Sequence, residues 1–233
     1  MVLSVVMPVY NEQNTLLEII QRVLEAPINL DLEIVLVDDA STDGTRELYP
    51  QLASKFPGAN IQLFEQPINR GKGAAIRVGF TKARGDIIVV QDADLEYSPG
   101  DYPKLLKPIL DGRADVVYGS RFIGGAEHRV LYFWHSVGNR FLTLMSNMTT
   151  NLNLTDMETC YKTFRAEAIK SLNLKSDRFG IEPEITAKVA RGGWRVYEVG
   201  ISYSGRSYQE GKKITWRDGL KAFYSIIRYA LAD

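Results

Sequence analysis

The feature that most constrains the fold of this chain is an alternation of strand and helix patterns over its first half. Short apolar runs, typical of buried strands, occur at 3–7, 32–41, 61–66, 86–94 and 115–122. Helical spacing of apolar residues occurs at 11–26, 71–83 and 99–114, and a turn leading into a helix is predicted at 41–56. Asn11 is the predicted N-cap of the first helix. This alternation predicts an α/β fold, a mostly parallel sheet flanked by helices on both faces.

The second half of the sequence has a different pattern. It predicts a long aromatic helix at 128–152, shorter helices at 162–174 and 180–193, and a strand at 194–203. A C-terminal amphipathic helix is predicted at 214–233, with an apolar stripe of Trp216, Leu220, Phe223, Ile227 and Leu231. Because no repeat, low-complexity segment or clear linker interrupts the chain, we expect one continuous domain with halves at 1–125 and 126–233.

The net charge of +0 conceals an asymmetry between these halves. Residues 1–125 carry 12 Lys and Arg against 17 Asp and Glu, whereas residues 126–233 carry 16 against 11. An acidic half suits a cation and a basic half suits anions, although chance variation over a solvated surface gives similar counts.

Cysteine content and hydropathy bear on the compartment. A single cysteine, Cys160, excludes an internal disulfide framework and fits a reducing compartment. The N-terminal MVLSVVMPVYNE lacks a basic segment and a small-residue cleavage site, so no signal peptide is predicted. No window reaches about 18 uncharged apolar residues, so we expect no membrane-spanning helix.

Carboxylates follow three of the predicted strands at the point where each strand ends. They are Glu12 after the first, Asp38 and Asp39 at the end of the second, and Asp92, Asp94 and Glu96 after the fourth, in DIIVVQDADLEYSP. Ligands of open parallel sheets bind beyond these carboxyl ends. Like charges this close repel each other unless a positive group lies among them. A divalent ion shared with substrate phosphates, Mg²⁺ or Mn²⁺, suits such hard oxygen ligands, and we predict one here.

Five motifs, MPVYNE, VDDASTDGT, NRGKGAA, DADLEY and GSRF, occur in this order along the chain. With them the chain resembles the family 2 glycosyltransferases, in particular the branch of dolichyl-phosphate mannose synthases and polyprenyl-phosphate glycosyltransferases. The resemblance implies the nucleotide-sugar-binding glycosyltransferase A fold, a divalent metal and inversion at the anomeric carbon. It also implies a donor such as GDP-mannose or a UDP-hexose and a polyprenyl (dolichyl or undecaprenyl) phosphate acceptor. We therefore expect a cytoplasmic protein, peripheral at the cytoplasmic face of a membrane, with no nucleic-acid partner.

The resemblance assigns roles to individual residues. Pro8, Tyr10 and Glu12 match positions that contact the nucleoside. Val37 and Asp39 match positions that hold the base. Asp92 and Asp94, with Ala93 between them, match the pair that binds the metal and the diphosphate. The phosphate-binding arginine is matched by Arg121, and the basic loop that closes over the donor by Arg206 and Lys212, so that 206–213 is predicted to be a lid. A carboxylate at Glu96, where many relatives carry Gln, either joins the metal ligands Asp92 and Asp94 or adds charge beside the diphosphate.

Several assignments remain open at the level of sequence. The glycines around Lys72, in RGKGAA, form either a phosphate cradle or, since the motif lacks the spacing of a Walker loop, a tight turn at a helix start with Lys72 as a secondary phosphate contact. Arg140 in the aromatic helix either binds the lipid phosphate or is a solvated surface residue. Asp156, in LTDMETCYK, is a candidate base near the acceptor, and we expect it to position other groups more than to transfer a proton. Asp94, Arg121 and Asp156 are the predicted catalytic residues.

Other functions fit the sequence less well. A glycosyltransferase acting on a saccharide hydroxyl is the main alternative, because the donor motifs are the same. A sugar nucleotidyltransferase would carry a Gly-rich loop with Arg and Lys after the first strand, where this chain has VYNEQN. A phospho-receiver module would leave the basic second half without a role.

Overall fold

A computed structural model describes residues 1–124, 129–130, 132–206 and 216–231, apart from the side chains of 216–218. Within these residues the strands are β1 Val2–Val9, β2 Asp31–Asp38, β3 Ile61–Glu65, β4 Ile87–Val90, β5 Val116–Ser120, β6 Lys162–Arg165 and β7 Val196–Gly200. The helices are α1 Leu16–Leu24, α2 Leu52–Lys55, α3 Lys72–Lys82, α4 Tyr102–Leu110, α5 Phe133–Thr150, α6 Ala166–Lys170, α7 Ile181–Arg191 and α8 Trp216–Leu231. Short 3₁₀ segments at Thr45–Gln51 and Pro99–Asp101 precede α2 and α4.

The strands form one sheet in the order β3-β2-β1-β4-β6-β5-β7. Every pairing is parallel except those of β6, which lies antiparallel between β4 and β5. The predicted fold class, a mostly parallel sheet flanked by helices, is therefore confirmed. The prediction of a helix throughout 162–174 is wrong, because its first four residues form β6. Pairing with strands on both sides outweighs the weak local pattern of so short a segment.

One helix begins later than the sequence predicts. Asn11 does not cap α1, which starts at Leu16. Asn11 adopts φ 56°, and its side-chain oxygen accepts the Thr42 N–H at 2.8 Å. Asn is among the few residues that adopt this left-handed conformation readily, so here it forms a turn between the first two strand ends.

Helices cover both faces of the sheet. From β6, Phe164 packs edge-on against Phe80 of α3, and Lys162 pairs with Glu182 of α7. Tyr161, which points to the opposite face, lies 6.0 Å from the ring of Tyr102 in α4. The helices α5 and α8 pack against α7 and against each other.

The C-terminal helix packs on the fold through a face that the sequence did not single out. Its buried side chains are Ala222, Ile226 and Tyr229. Of the predicted apolar stripe, Leu220, Ile227 and Leu231 are exposed, Phe223 is half-buried, and the side chain of Trp216 lies outside the described residues. In the part of the chain described here, no helix is both long and apolar enough to cross a bilayer.

The topology brings distant segments to one edge of the sheet. The carboxyl ends of the parallel strands β1, β2, β4 and β5 lie on the same edge, and because β6 runs the other way its beginning lies there too. The loops after β1, β2, β4 and β5 and the loop 151–161 before β6 therefore surround a common crevice.

Candidate active site

An acidic cluster lies where β4 ends. Asp94 and Glu96 are linked by a tight turn in which the Glu96 N–H donates to Asp94 Oδ1 at 3.2 Å. Leu95 between them has φ 64°, a conformation that side-chain-bearing residues rarely adopt and that is concentrated at functional loops. Both carboxylates are largely buried and face Arg206, as does Glu12 from the loop after β1.

The positive group among these carboxylates is a guanidinium. Arg206 Nη2 lies 3.1 Å from Asp94 Oδ2 and 3.7 Å from Glu12 Oε1, and its backbone N–H donates to Glu96 Oε1 at 2.7 Å. Its buried Nε has no hydrogen-bond partner among the described residues. Arg206 therefore offsets the negative charge of the cluster while keeping one donor available.

The crowding of carboxylates affects their protonation. Burial, together with the charges of Asp92 and Glu96, raises the pKa of Asp94 to about 7, and Arg206 opposes this rise. A site that raises the pKa of a carboxyl group in this way stabilises added positive charge.

The donor chemistry fits Mg²⁺ or Mn²⁺, since Asp94 and Glu96 offer hard oxygen ligands at a strand end. Asp92, the third predicted ligand, is paired with Lys72. In the residues that the structure describes, no three His, Cys, Asp or Glu side chains are arranged to hold an ion together.

Lys72 is the second cation of this edge. Its Nζ lies 2.8 Å from Asp92 Oδ2, and although burial opposes it, the charge of Asp92 holds the pKa of Lys72 well above its usual range. The flanking glycines serve packing: a Cβ on Gly73 would lie 2.5 Å from the Ser176 carbonyl oxygen, and Gly71 has φ 103°. These contacts favour the tight turn over a phosphate cradle, with Lys72 at its start.

The predicted nucleoside and base contacts lie on β1 and β2 and in the loops that follow. Tyr10 is 38% exposed at the rim and Pro8 is half-buried, so both are within reach of a ligand. Val37 is fully buried and exposes no surface to a base. Asp39 is also buried, and its carboxylate accepts the Gly71 N–H at 2.7 Å, the Arg70 N–H at 2.8 Å and the Gln66 amide at 2.8 Å. Asp39 thus fixes the loop that carries Lys72.

Arg121 and Asp156 form an ion pair across the crevice. Arg121 Nε and Nη2 donate to the two Asp156 oxygens at 2.7 Å each, and the Arg121 backbone N–H adds a third bond at 3.1 Å. Asn139 of α5 donates to the same carboxylate at 3.2 Å, and Asp156 is fully buried. Burial opposes the charge of Arg121, but Asp156 holds its pKa above the usual range.

Arg140 lies close to this pair. It is exposed on α5, and its guanidinium carbon is 6.0 Å from the centre of the Phe122 ring. Arg121 lies 5.8 Å from the same ring, so two cations flank one aromatic side chain. Lys212 and the rest of the predicted lid 207–213 lie outside the described residues.

The helices beside the two arginines expose an apolar surface. On α5 the exposed side chains are Phe133, Trp134, Val137, Phe141, Leu144 and Met148; on α8 they are Leu220, Tyr224, Ile227 and Leu231. The ring of Phe141 stacks on Phe223 at 6.0 Å, which joins the two helices. We call these exposed side chains the α5/α8 surface. Apolar patches of this kind on a folded chain mark contact with another protein or a lipid.

Sequence reasoning missed Glu158, a charged residue in the loop 151–161. The buried Lys162 donates to the carbonyls of Met157, at 2.9 Å, and Thr159, and to Glu182 of α7. Glu158 lies between these carbonyls, and its buried Oε1 has no hydrogen-bond partner among the described residues. The only signal in the sequence is an acid two residues after Asp156, and it gains meaning once β6 places the loop at the crevice.

Comparison with known proteins shows the family to which this chain is similar. Residues 4–172 match the family model described as Glycosyl transferase family 2. The chain is 31% identical to dolichol-phosphate mannosyltransferase of Pyrococcus furiosus over 98% of its own length, and it spans 64% of that relative, less than two thirds. It is 30% identical to undecaprenyl-phosphate mannosyltransferase of Micrococcus luteus, covering 97% of this chain and 93% of that one.

A solved structure shows the same fold. Glucosyl-3-phosphoglycerate synthase from Mycobacterium tuberculosis, in complex with Mn²⁺, UDP and phosphoglyceric acid, superposes with a TM-score of 0.75. The match covers 98% of this chain and 78% of that one at 19% sequence identity.

Proposed function

Since the chain belongs to glycosyl transferase family 2 and is a glycosyltransferase, we propose that it transfers a hexose from a nucleotide-diphosphate sugar to a polyprenyl phosphate. Residues 1–125, the donor half, hold the nucleotide sugar and its metal. Residues 126–233, the acceptor half, hold the lipid phosphate. The mannosyltransferase relatives support a donor such as GDP-mannose, with a UDP-hexose as the alternative.

The donor binds at the acidic cluster. Asp92, Asp94 and Glu96 would hold Mg²⁺ or Mn²⁺ together with the diphosphate, and Lys72 would contact a phosphate oxygen. The bound metal supplies Lewis-acid stabilisation of the charge on the leaving diphosphate. Lys72 and Arg206 add positive charge that is already in place, so little reorganisation is needed as that charge develops.

The acceptor assignment rests on one observation: the α5/α8 surface adjoins Arg121 and Arg140. A polyprenyl phosphate combines an anionic head with a long apolar chain, so it needs cations beside an apolar surface. Asn139 and Arg140 are consecutive residues of α5, and Asn139 bonds to the carboxylate that holds Arg121. The same helix therefore carries the exposed apolar side chains and borders the arginine pair.

The chemistry of the acceptor explains why no exposed base is needed. A phosphate monoester has a second pKa near 6, so it is largely a dianion at neutral pH and can attack the anomeric carbon unaided. A saccharide hydroxyl would instead require a base to remove its proton. Asp156 is buried and bonded on both oxygens to Arg121, an arrangement that suits positioning of that cation.

The proposed location is the cytoplasmic face of a membrane. The α5/α8 surface would rest on the lipid, with Lys221 and Arg228 of α8 exposed beside it. An amphipathic surface that combines apolar side chains with nearby cations favours an anionic interface.

A transfer assay tests this function. Purified protein with Mn²⁺ and radiolabelled GDP-mannose or UDP-glucose is incubated with undecaprenyl phosphate in detergent, and label is measured in the lipid extract. We expect label on undecaprenyl phosphate and none on undecaprenol, which lacks the phosphate. Transfer to a free saccharide with an inert lipid phosphate would overturn the acceptor assignment and establish a hydroxyl acceptor.

A further inference from the structure

Glu158 is a charged residue in the crevice that the proposed reaction does not yet use. It lies in the middle of the five-residue segment 156–160, whose two ends contact different parts of the site. At one end Asp156 holds Arg121 by two bonds of 2.7 Å. At the other end Cys160 is buried near Asp92, and burial together with the charge of that carboxylate raises the pKa of Cys160. Glu158 therefore lies between the donor diphosphate side and the arginine side.

The segment is held rigidly. Lys162 donates to the carbonyls on either side of Glu158, those of Met157 and Thr159, and to Glu182. Lys162 is 1% exposed, so all three bonds are shielded from water. A side chain on a backbone fixed in this way has a defined position, which suits recognition of a specific group.

Glu158 itself lacks a partner for one oxygen. Its Oε1 is buried without a hydrogen-bond partner in the described part of the chain, although leaving a buried acceptor unpaired destabilises a fold. The surrounding charges are Glu182, Lys162, Arg121 and Asp156. Because these two carboxylates and two cations offset one another, an uncharged hydroxyl group that donates to the free oxygen fits this position.

Resting on the proposed function, we propose that Glu158 binds a hydroxyl group of the sugar being transferred and so determines which donor sugar the enzyme accepts. The transferred sugar must lie between its diphosphate and the attacking phosphate, and segment 156–160 spans that interval. The orphan oxygen supplies the acceptor that a sugar hydroxyl requires.

The protonation of Glu158 agrees with this role. Burial, followed by the charge of Glu182, raises its pKa to about 7, while Lys162 and Arg121 oppose the rise. A carboxyl group that is partly protonated near neutral pH can both donate to and accept from a hydroxyl group.

Deoxy donors test the inference. Binding of GDP-mannose, UDP-glucose and their 2-, 3-, 4- and 6-deoxy forms is measured by calorimetry with Mn²⁺ on the intact protein and on Glu158→Ala. For the wild type, we expect one deoxy position to weaken binding of the preferred donor about 10- to 100-fold. Glu158→Ala should lose a similar factor for the complete donor and show no further loss for that deoxy form.

Sugarless nucleotides separate recognition from a structural effect. GDP and UDP should bind Glu158→Ala as they bind the wild type, and the exposed Glu167→Ala serves as the matched control. Glu158→Gln, which has the same shape, covers the case in which the alanine variant fails to fold. An equal loss for GDP or UDP and for the sugar donors, or a variant that still discriminates against the deoxy form, would overturn the inference alone. A wild-type chain that binds no sugar nucleotide would overturn the proposed function with it.

Discussion

In the donor half, α1 buries four aliphatic side chains in the core, whereas in the acceptor half α5 fully buries only Thr143 and Ser146, packs Leu142 and Met145 partly against the core, and leaves six apolar side chains exposed. The buried side chains of α1 are Leu16, Ile19, Ile20 and Val23. Burial of apolar area is worth about 25 cal/mol per Å². The helix α1 gains more of this stabilisation within the fold than α5 does. The difference supports the proposal that a lipid surface covers the exposed apolar side chains of α5.

The first prediction tests whether donor binding depends on the acidic cluster of the donor half. Asp94→Asn should reduce donor binding in the presence of Mn²⁺ by more than about 100-fold, because a metal-shared carboxylate is lost. Calorimetry with GDP-mannose and UDP-glucose measures it. The exposed Asp31→Asn, at the far end of β2, is the control and should bind normally. Unchanged binding by a folded Asp94→Asn variant would show that the metal lies elsewhere.

The second prediction concerns the ion pair that joins the halves. Asp156→Asn should lower the free energy of unfolding by about 3 kcal/mol, because it leaves the largely buried Arg121 without its anion. Thermal or urea unfolding measures this, with the surface variant Asp111→Asn as control. Much of the transfer rate to undecaprenyl phosphate should remain once the protein is folded. A rate that collapses, and that in the wild type follows a single carboxylate titration, would instead identify Asp156 as a base.

The two halves also differ in how much the sequence predicts. In the donor half each strand shows an apolar run, even β4 with only the four residues Ile87–Val90, and the carboxyl ends follow directly, so Asp92, Asp94 and Glu96 are found at the rim. In the acceptor half the four residues of β6 include two charged ones and show no apolar run, and their pairing partners lie far away in the sequence. Without β6, nothing in the sequence places Glu158 at the crevice.

Orientation of helices and loops is a second limit. The apolar stripe predicted on α8 is present in its sequence, but the face of α8 that is buried is determined by its contacts with α5 and α7. The sequence likewise does not give the pairing of Asp92 with Lys72, which lies 20 residues away along the chain. Tertiary contacts decide both cases.

The third prediction replaces exposed apolar side chains in each half and compares the effects. Trp134→Glu with Met148→Glu should weaken binding to vesicles containing anionic lipid by at least about tenfold, since a tenfold change requires about 1.4 kcal/mol and the loss of about 60 Å² of apolar contact with the lipid already costs that much. Ile68→Glu with Leu110→Glu, equally exposed in the donor half, is the matched control and should leave binding unchanged. Flotation measures both. Equal loss in the two double variants would remove the distinction between the halves, and no binding by the wild type would retire the membrane assignment.

The smallest expected effect belongs to Arg140, because it is exposed and its charge is screened by solvent. Arg140→Ala should raise the KM for undecaprenyl phosphate about fivefold, which corresponds to about 1 kcal/mol, and leave kcat and donor affinity unchanged. That separation follows from its place on α5, near Phe122 and away from the acidic cluster. The exposed Arg22→Ala on α1 is the control in the donor half. Raising the ionic strength should weaken the binding of undecaprenyl phosphate to the wild type and narrow the difference in KM between the wild type and Arg140→Ala. Salt and the substitution both reduce the attraction between Arg140 and the phosphate. An increase in the donor KM instead would place Arg140 on the diphosphate and would break the division of labour between the two halves.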